Sequence, residues 1–514
     1  MKQFSVLLCM SVLAMTVAAQ TNMPTIIQTD AAADATTNMP VRQMSLQDCI
    51  QMALEHNLDI KIERYSPQIS QYTLSIGYGG YDPLFSISGD HAFNLSGGGF
   101  DPNTKQPIPA STFNANIFNS SLTGVLPSGL IYNFSGNISQ SKGSGASTNA
   151  NTESTSGRVG VTLAQPLLKN FWIDSTRLNI AIAKNRLHYS EQGLRYQILT
   201  SIQSVESAYY DLIAARDNVK VQEMAVRLAE QLLAEDTKRV EVGSLAPLSE
   251  KQDESQAASA RAALLAARQT VAAQENLLKA LIGDNYRSLH DVDIQPAEQL
   301  ASPVQFYDLQ ESWRKGLTQR PDYLQAKLNL EQNGIQLKYD KNQLFPELDL
   351  TGSYGHNAGG VQQFNQGFND FREGNQPFYS YGAQMTFPLS NQKARNQYKS
   401  DKLTVEQSLL TLKKLEQNIM VSIDNDIKKA QADYLQVEAT REATIYAEAA
   451  LDAEQKKLEN GKSTSFVVLQ LQSNLTAARG AEIQALDNYN KDLAQLAFDE
   501  ASTFERRGIT VQIR

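Results

Sequence analysis

The sequence predicts a mixed α and β protein made of two internal repeats, each a helix, alternating strands, a very long helix and a return helix. Three observations predict it. Helical periodicity runs over stretches far longer than a globular domain uses, Ser/Asn/Gly/Thr-rich segments alternate apolar and polar residues, and the same landmarks recur at constant offsets through the 514 residues. Composition agrees: 41% hydrophobic residues, a mean hydropathy of −0.37 and only 16 prolines suit long helices with some strands. Past the N-terminus no apolar run reaches 18 residues. This excludes helical membrane spans but not a barrel, whose strands alternate.

Lys2, the apolar stretch Phe4–Val17 and Val17-Ala18-Ala19 before Gln20 read as a signal peptide over 1–19. Its removal takes away one Lys, so the formal charge moves from −9 to −10, which disfavours nucleic acid as a partner. Cys9 leaves with the signal, and Cys49 alone forms no intrachain disulfide. Residues 20–44, rich in Thr, Ala, Asn and Asp, read as a flexible extension.

Repeat 1 covers 45–283. Ser45 and Asp48 resemble a capping box opening a helix to about Gly77. Strands follow over about 81–165. Leu130, Tyr132, Phe134 and Ile138 take one face, Asn133, Ser135, Asn137 and Ser139 the other, and Val159, Val161 and Leu163 repeat the pattern. A helical pattern then holds over 174–241, with Leu194, Ile198, Ile202, Val205, Tyr209 and Leu212 at coiled-coil spacing. At 1.5 Å per residue this helix is about 100 Å long. Gly243 and Pro247 end it, and a return helix occupies 248–282. After a linker (284–304), repeat 2 covers 305–507: a helix, strands over about 346–388, a long helix 391–459, a break at Gly461 and a return helix 465–505. Residues 508–514 form a tail.

The repetition is arithmetical. Leu46, Asp59 and Pro83 return as Leu309, Asp322 and Pro346, each 263 later. Pro166-Leu167 returns as Pro388-Leu389 at an offset of 222, and Gly243 and Arg261 return as Gly461 and Arg479 at an offset of 218. Repeat 1 therefore holds 41 extra residues between its prolines and 4, about one turn, in its long helix. Two regular strands per repeat cannot close a barrel, and an open edge in lipid leaves backbone groups unpaired at several kcal/mol each. A long amphipathic helical hairpin likewise needs lateral neighbours. Both demands are met by one oligomeric tube, part β and part α.

The chain resembles the TolC-like outer-membrane efflux family. The resemblance rests on Arg320-Pro321-Asp322 opening a helix, Leu344-Phe345-Pro346 entering a strand and Phe387-Pro388-Leu389 leaving one. The tips Val242-Gly243-Ser244-Leu245-Ala246-Pro247 and Gly461-Lys462-Ser463-Thr464 also match. It covers roughly 45–507. It implies a homotrimer with a 12-stranded barrel in the outer membrane, continued by a long periplasmic α-helical barrel. It also implies a periplasmic adaptor and an inner-membrane pump as partners, and a role as the passive exit duct of tripartite efflux or type I secretion.

The resemblance makes the tip residues Gly243, Leu245, Gly461, Ser463 and Thr464 candidates for adaptor contact. Some relatives carry an aspartate ring inside the second tip. Val467 and Gln470 stand at those positions here and become the candidate periplasmic constriction, without acids. Pro83, Pro166, Pro346 and Pro388 mark helix–strand junctions, where Pro ends a helix and favours extended backbone before it. Tyr78, Tyr81, Phe85, Phe171, Trp172, Tyr379, Tyr381 and Phe387 cluster near strand ends, as an interfacial girdle in contact with outer-membrane lipid would. No enzyme is expected: the five histidines are scattered, no P-loop or G-x-S-x-G occurs, and no catalytic residue, cofactor or metal site is assigned. Two other readings exist. A structural coiled-coil envelope protein accounts for the helices but not the strands, and a diffusion porin for the strands but not the helices.

The 41 extra residues hold Leu126-Pro127-Ser128-Gly129-Leu130, a turn signal between runs at about 113–125 and 130–140. Either the runs join the wall, giving six strands per chain, or four strands form it and the surplus lies outside. The first run is weak, with Asn114, Asn116, Ser120 and Gly124 on the face of Phe118 and Leu122. The resemblance favours 12 strands, with external loops around 96–112 and 141–156.

Overall fold

Ser45 opens the first helix by a reciprocal cap: its hydroxyl accepts the Asp48 amide at 3.1 Å, and the Asp48 carboxylate accepts the Ser45 amide at 3.0 Å. The computed structural model describes residues 40–144, 151–361 and 364–510. The signal segment 1–19, the extension as far as 39 and the tail from 511 lie outside the described residues.

Repeat 1 runs β1 (Val41–Met44), α1 (Leu46–His56), α2 (Leu58–Glu63), α3 (Tyr65–Tyr78) and β2 (Leu84–Ser96). A small hairpin of β3 (Gly99–Phe100) and β4 (Pro107–Ile108) precedes β5 (Ser111–Val125), β6 (Ile131–Ser144) and β7 (Asn151–Pro166). Then come α4 (Ser175–Glu241), α5 (Pro247–Ile282), α6 (Tyr286–His290) and β8 (Asp293–Pro296). Repeat 2 runs α7 (Leu309–Gln319), α8 (Pro321–Asn342), β9 (Glu347–Val361), α9 (Phe364–Glu373), β10 (Pro377–Thr386), α10 (Gln392–Glu459), α11 (Ser465–Asp499) and α12 (Thr503–Arg507). The offsets survive in the folded elements. The offset of 263 separates the starts of α1 and α7, and of β2 and β9; the offset of 218 separates the ends of α4 and α10, and the starts of α5 and α11.

Local chemistry sets the breaks. The helix expected to run from Ser45 to Gly77 is interrupted at Asn57, whose side chain caps α2 through the Ile60 amide, and again at Arg64. Arg320 is extended, at ψ 122°, because Pro321 disfavours helical geometry before it, and this parts α7 from α8. No helix among the described residues is long and apolar enough to cross a membrane.

The sheet corrects the expected strand number. Six antiparallel strands form one sheet in the order β10-β9-β7-β6-β5-β2. The supposed surplus, β5 and β6, stands between β2 and β7 and pairs along its length, from Val125↔Ile131 to Phe113↔Gly143. Residues 141–144 and 151–156, expected in a loop, belong to β6 and β7. The external connection 97–110 carries the β3–β4 hairpin. The polar residues that made β5 look weak have a local reason. Asn114 and Asn116 sit at its outer end, and Ser120 lies opposite Gly136, whose carbonyl its hydroxyl meets at 3.5 Å.

One face of the sheet is apolar, with Phe85, Ile87, Phe118, Leu122, Phe134 and Val161; the other carries Ser86, Ser121, Asn133, Ser135, Thr162 and Ser353. Helix α9 folds back over the outer half of the apolar face, with Gly367 against Ile138 and with Phe368 and Phe371 facing Ile87, Phe118 and Val159 across a cleft. Its Phe371 packs over Gly157, where an added Cβ would come within 2.6 Å of the ring.

The helical core centres on α4. Ile202, Tyr209 and Leu212 pack with Ile50, Ile60, Leu278, Ile282 and Ile294, and each such fully buried side chain is worth about 1.5–3 kcal/mol. The parallel pair β1–β8, which has no sequence signal, ties the chain entry to the linker. Tyr209 holds that pair with its single hydroxyl hydrogen, shared between the Met44 carbonyl at 3.0 Å and the Glu298 carboxylate. In repeat 2, Ile419 and Ile423 pack with Tyr323 and Leu496, and the Trp313 indole donates to the Met420 carbonyl at 3.0 Å. Beside them the half-buried Arg320 bridges Asp322 at 2.8 Å and Asp499 at 2.6 Å. Arg320→Ala leaves both carboxylates without their cation, and we expect it to cost about 3–5 kcal/mol. A fall in thermal midpoint much larger than that of the surface substitution Arg314→Ala is the expected reading.

Candidate functional site

The two helical hairpins end in the same turn. At the first, the Gly243 amide donates to the Val240 carbonyl at 2.9 Å and the Ser244 amide to the Arg239 carbonyl at 2.8 Å. At the second, Gly461 donates to Leu458 at 3.0 Å and Lys462 to Lys457 at 2.9 Å. Each is a Schellman closure, with its glycine at a left-handed φ of 75° and 69°. Pro247 then opens α5 at its first position, where its missing N–H costs nothing. Thr464 is the extended residue before α11. Ser463 donates to Glu454 at 2.5 Å, and hydrogen bonds from Lys457 and Ser463 hold the Glu454 carboxyl below the usual range. Leu245 is half-buried, as is Ser463, while Gly243, Gly461 and Thr464 are exposed.

Between the tips, α5 and α11 frame an open groove. Leu248, Gln252 and Ser255 line one side and Phe466, Gln470 and Ser473 the other. These are repeat equivalents, each pair at the offset of 218, so the groove has two matched walls. Leu248 and Phe466 are apolar yet exposed, at 69% and 61%. Gln470 faces this groove and donates to Asn474 at 3.2 Å; Val467 is exposed on the first turn of α11, and its neighbour Val468 takes the core position with Leu232, Leu451 and Leu475. The groove went unnoticed in the sequence. Its signal was the 218 offset placing Leu248 on Phe466.

Inside the first hairpin, Asp236 of α4 and Asp253 of α5 are both buried against one another, with Arg239 at 3.2 Å from Asp236. Burial pushes the Asp253 carboxyl up to about 7, and the facing Asp236 adds to the rise. Burial raises three further carboxyls that face a partner across helices: Asp340 against Asp401, Asp426 against Asp499, and Asp433 against Asp492.

At the other end, Pro83 precedes β2, Pro166 closes β7, Pro346 precedes β9 and Pro388 follows β10. The junctions are stitched by amides. Asn342 accepts the Asn170 amide at 2.8 Å, Gln343 donates to the Asn170 side chain at 3.0 Å, and Asn391 donates to the Leu344 carbonyl at 3.2 Å. Phe171, Trp172 and Phe387 sit at this helical end of the sheet, with the Arg177 guanidinium 4.5 Å over the Trp172 ring. Tyr78 and Tyr81 precede the sheet; Phe85, Tyr379 and Tyr381 lie on its apolar face, Tyr379 and Tyr381 away from the helices. Among the described residues no group of three His, Cys, Asp or Glu is placed to hold a metal.

A family model described as "Outer membrane efflux protein" matches residues 132–284 and 314–498. The chain belongs to the outer membrane efflux protein family. Family and fold agree: the chain is an outer-membrane efflux protein whose sheet and long helices form the TolC-like architecture. Its place is the outer membrane, with the helical part extending into the periplasm. The outer membrane efflux protein BepC of Brucella suis biovar 1 (strain 1330) is 25% identical over 68% of this chain and 72% of its own length. The pyoverdine export outer membrane protein OpmQ of Pseudomonas aeruginosa is 24% identical over 56% of this chain and 58% of its own length. The crystal structure of the Campylobacter jejuni CmeC outer membrane channel shares the fold at a TM-score of 0.64, with 14% identity over 91% of this chain and 90% of that one. The family is one of efflux proteins rather than of enzymes.

The Asp236–Asp253 pair predicts a pH dependence. Its folded pKa lies above the unfolded value of about 3.9, so the folded state holds the proton longer. That stability is lost as pH climbs from about 4 to about 7 and then levels. Asp253→Asn should therefore leave the thermal midpoint nearly unchanged at pH 4.5 and raise it at pH 8. An equal shift at both pH values would contradict the shared proton.

Proposed function

We propose that this chain is the passive exit duct of a tripartite exporter, working as a homotrimer. An inner-membrane pump supplies the energy and a periplasmic adaptor grips the helical tips. The single observation that carries this reading is the pair of matched tips flanking a groove with exposed Leu248 and Phe466. Two exposed apolar anchors at equivalent positions suit a partner that itself presents a helical hairpin. Gly243, Leu245, Gly461, Ser463 and Thr464 form the rim of that contact. Val467 and Gln470 narrow the entrance by packing and amide hydrogen bonds rather than by carboxylates. The trimer is supported by the sheet: among the described residues β2 and β10 each have one partner strand and one open edge.

Gly243→Val or Gly461→Val forces a β-branched residue into left-handed geometry at the turn, at a strain of about 1–2 kcal/mol. Export should fall to background in both variants while native mass in detergent still gives three chains. Export at the parental level would remove the tips from the contact, and a stable monomer would remove the trimer. The absent carboxylate ring has its own readout. Micromolar trivalent cations added on the periplasmic side of single channels should block poorly, and Gln470→Asp should confer block.

A further inference from the structure

We propose that the β5–β6 hairpin is a stave of the membrane wall, so that three chains close an eighteen-stranded barrel with an exit wider than twelve strands allow. The inference rests on the trimer reading above. It assigns the wide end of the duct to bulky, hydrated, polar cargo.

Three observations carry it. The hairpin is inserted in full register between β2 and β7, which do not pair with each other. An external extension would rise beyond its neighbours, whereas β5 pairs with all of β2, from Thr123↔Leu84 to Ser111↔Ser96. Next, its turn lies at the helical end. Gly129, at φ 85°, closes it by donating to the Leu126 carbonyl at 2.8 Å. Gln165 donates to the Ser128 carbonyl at 3.1 Å, and the Arg177 guanidinium donates to the Pro127 carbonyl. Pro127-Ser128-Gly129 is thus anchored to the last residues of β7 and the first turn of α4, on the periplasmic side.

The third observation is the height of the apolar band. Across β2, β5, β6 and β7 the apolar face is crossed by one polar chain, beyond which only β2 resumes with Phe93 and Leu95: His91 meets Asn116 at 2.7 Å, Asn116 donates to Gln140 at 3.2 Å, and Gln140 donates to Glu153. Lys142 stands 3.8 Å from Glu153. Eight residues separate Tyr132, the first residue of β6 on that face, from Gln140, which is about 26 Å of strand or about 20 Å of bilayer depth at a 40° tilt. The hairpin therefore carries the same apolar band and the same polar row as β2 and β7, as a strand of a lipid-facing wall needs.

Width follows from strand number. With strands about 4.8 Å apart and tilted about 40°, eighteen close a backbone tube about 36 Å across, against about 24 Å for twelve. The polar face that would line it is mostly small and uncharged. Serine pairs bridge its strands at 2.7 Å for Ser86 and Ser121, 3.1 Å for Ser139 and Ser156, and 2.7 Å for Ser353 and Ser380. Such a lining excludes little by size or charge. Selection then falls to the periplasmic end, and cargo too broad for a twelve-stranded exit can leave.

Single cysteines read out the wall, with little background because Cys49 is fully buried. Membrane-impermeant maleimide should label Thr104→Cys, in the outer hairpin, on intact cells. It should label Ser128→Cys only after the periplasm is opened. Along β6, Ser135→Cys should react and Phe134→Cys should react roughly tenfold more slowly, since its face meets lipid. Labelling of Ser128→Cys on intact cells, or equal rates at 134 and 135, would overturn the eighteen-stranded wall. Native mass of the same variants separates the two readings: three chains with an outward Ser128 sinks the wall and keeps the trimer, whereas one chain sinks the trimer and the eighteen-strand count with it, a periplasmic Ser128 then keeping only the hairpin's place beside β2 and β7.

Discussion

Two backbone edges govern this molecule. β2 and β10 end the sheet, and each presents a row of amides and carbonyls that no other described strand of the chain pairs. In water such an edge is tolerable. In hydrocarbon each unmet group costs several kcal/mol, so a sheet with one apolar face and two open edges is incomplete by itself. On the trimer proposed above, the chain is a segment of a tube rather than a finished domain, and its exposed side chains make sense on those terms. Tyr381 on β10 is 86% exposed, and on that proposal it meets lipid or another copy rather than this chain.

The tube must change from strand to helix without leaving polar backbone unpaired. The junction manages this with amide side chains rather than hydrophobic packing. Asn170, Asn342, Gln343 and Asn391 exchange hydrogen bonds with each other and with backbone carbonyls. Asn170 and Asn391 themselves take left-handed backbone, at φ 64° and 42°, which asparagine tolerates better than most residues. Four chain segments pass through this ring, one at each of the four prolines. The β5–β6 hairpin turns back at the same level without entering the helical part, so strand number and helix number need not match.

At the far end the constraint is different. The two long helices α4 and α10 must stay in register with their return helices down to exposed tips. Leucine and alanine layers do most of this, but buried carboxylates face each other across several helix pairs. A half-protonated pair is held by one hydrogen bond; two charges in the same place repel. These layers hold the bundle less firmly as pH rises, and the Asp236–Asp253 layer lies within three turns of the first tip.

Much was legible in the sequence because it is local or periodic. Helix length follows from heptad spacing, the tips from Gly243 and Gly461 after long runs without glycine, and the duplication from offsets that the folded boundaries reproduce. The groove residues Leu248 and Phe466 were legible in principle through the same offset. Strand number was not. β5 places Asn114, Asn116 and Ser120 on the face of Phe118, and alternation alone cannot tell a wall strand with a polar outer end from an external one. Only the register, with Arg177 and Gln165 holding the Pro127–Gly129 turn beside the helices, places β5 and β6 inside the sheet. The β1–β8 pair and the Asp236–Asp253 layer were likewise invisible, since each joins segments through space that carry no mutual mark in the chain. Periodicity is written residue by residue and determines the elements; which strand edge meets which, and which carboxyls meet in the dark between helices, is set by packing over long separations, and only the tertiary structure decides it.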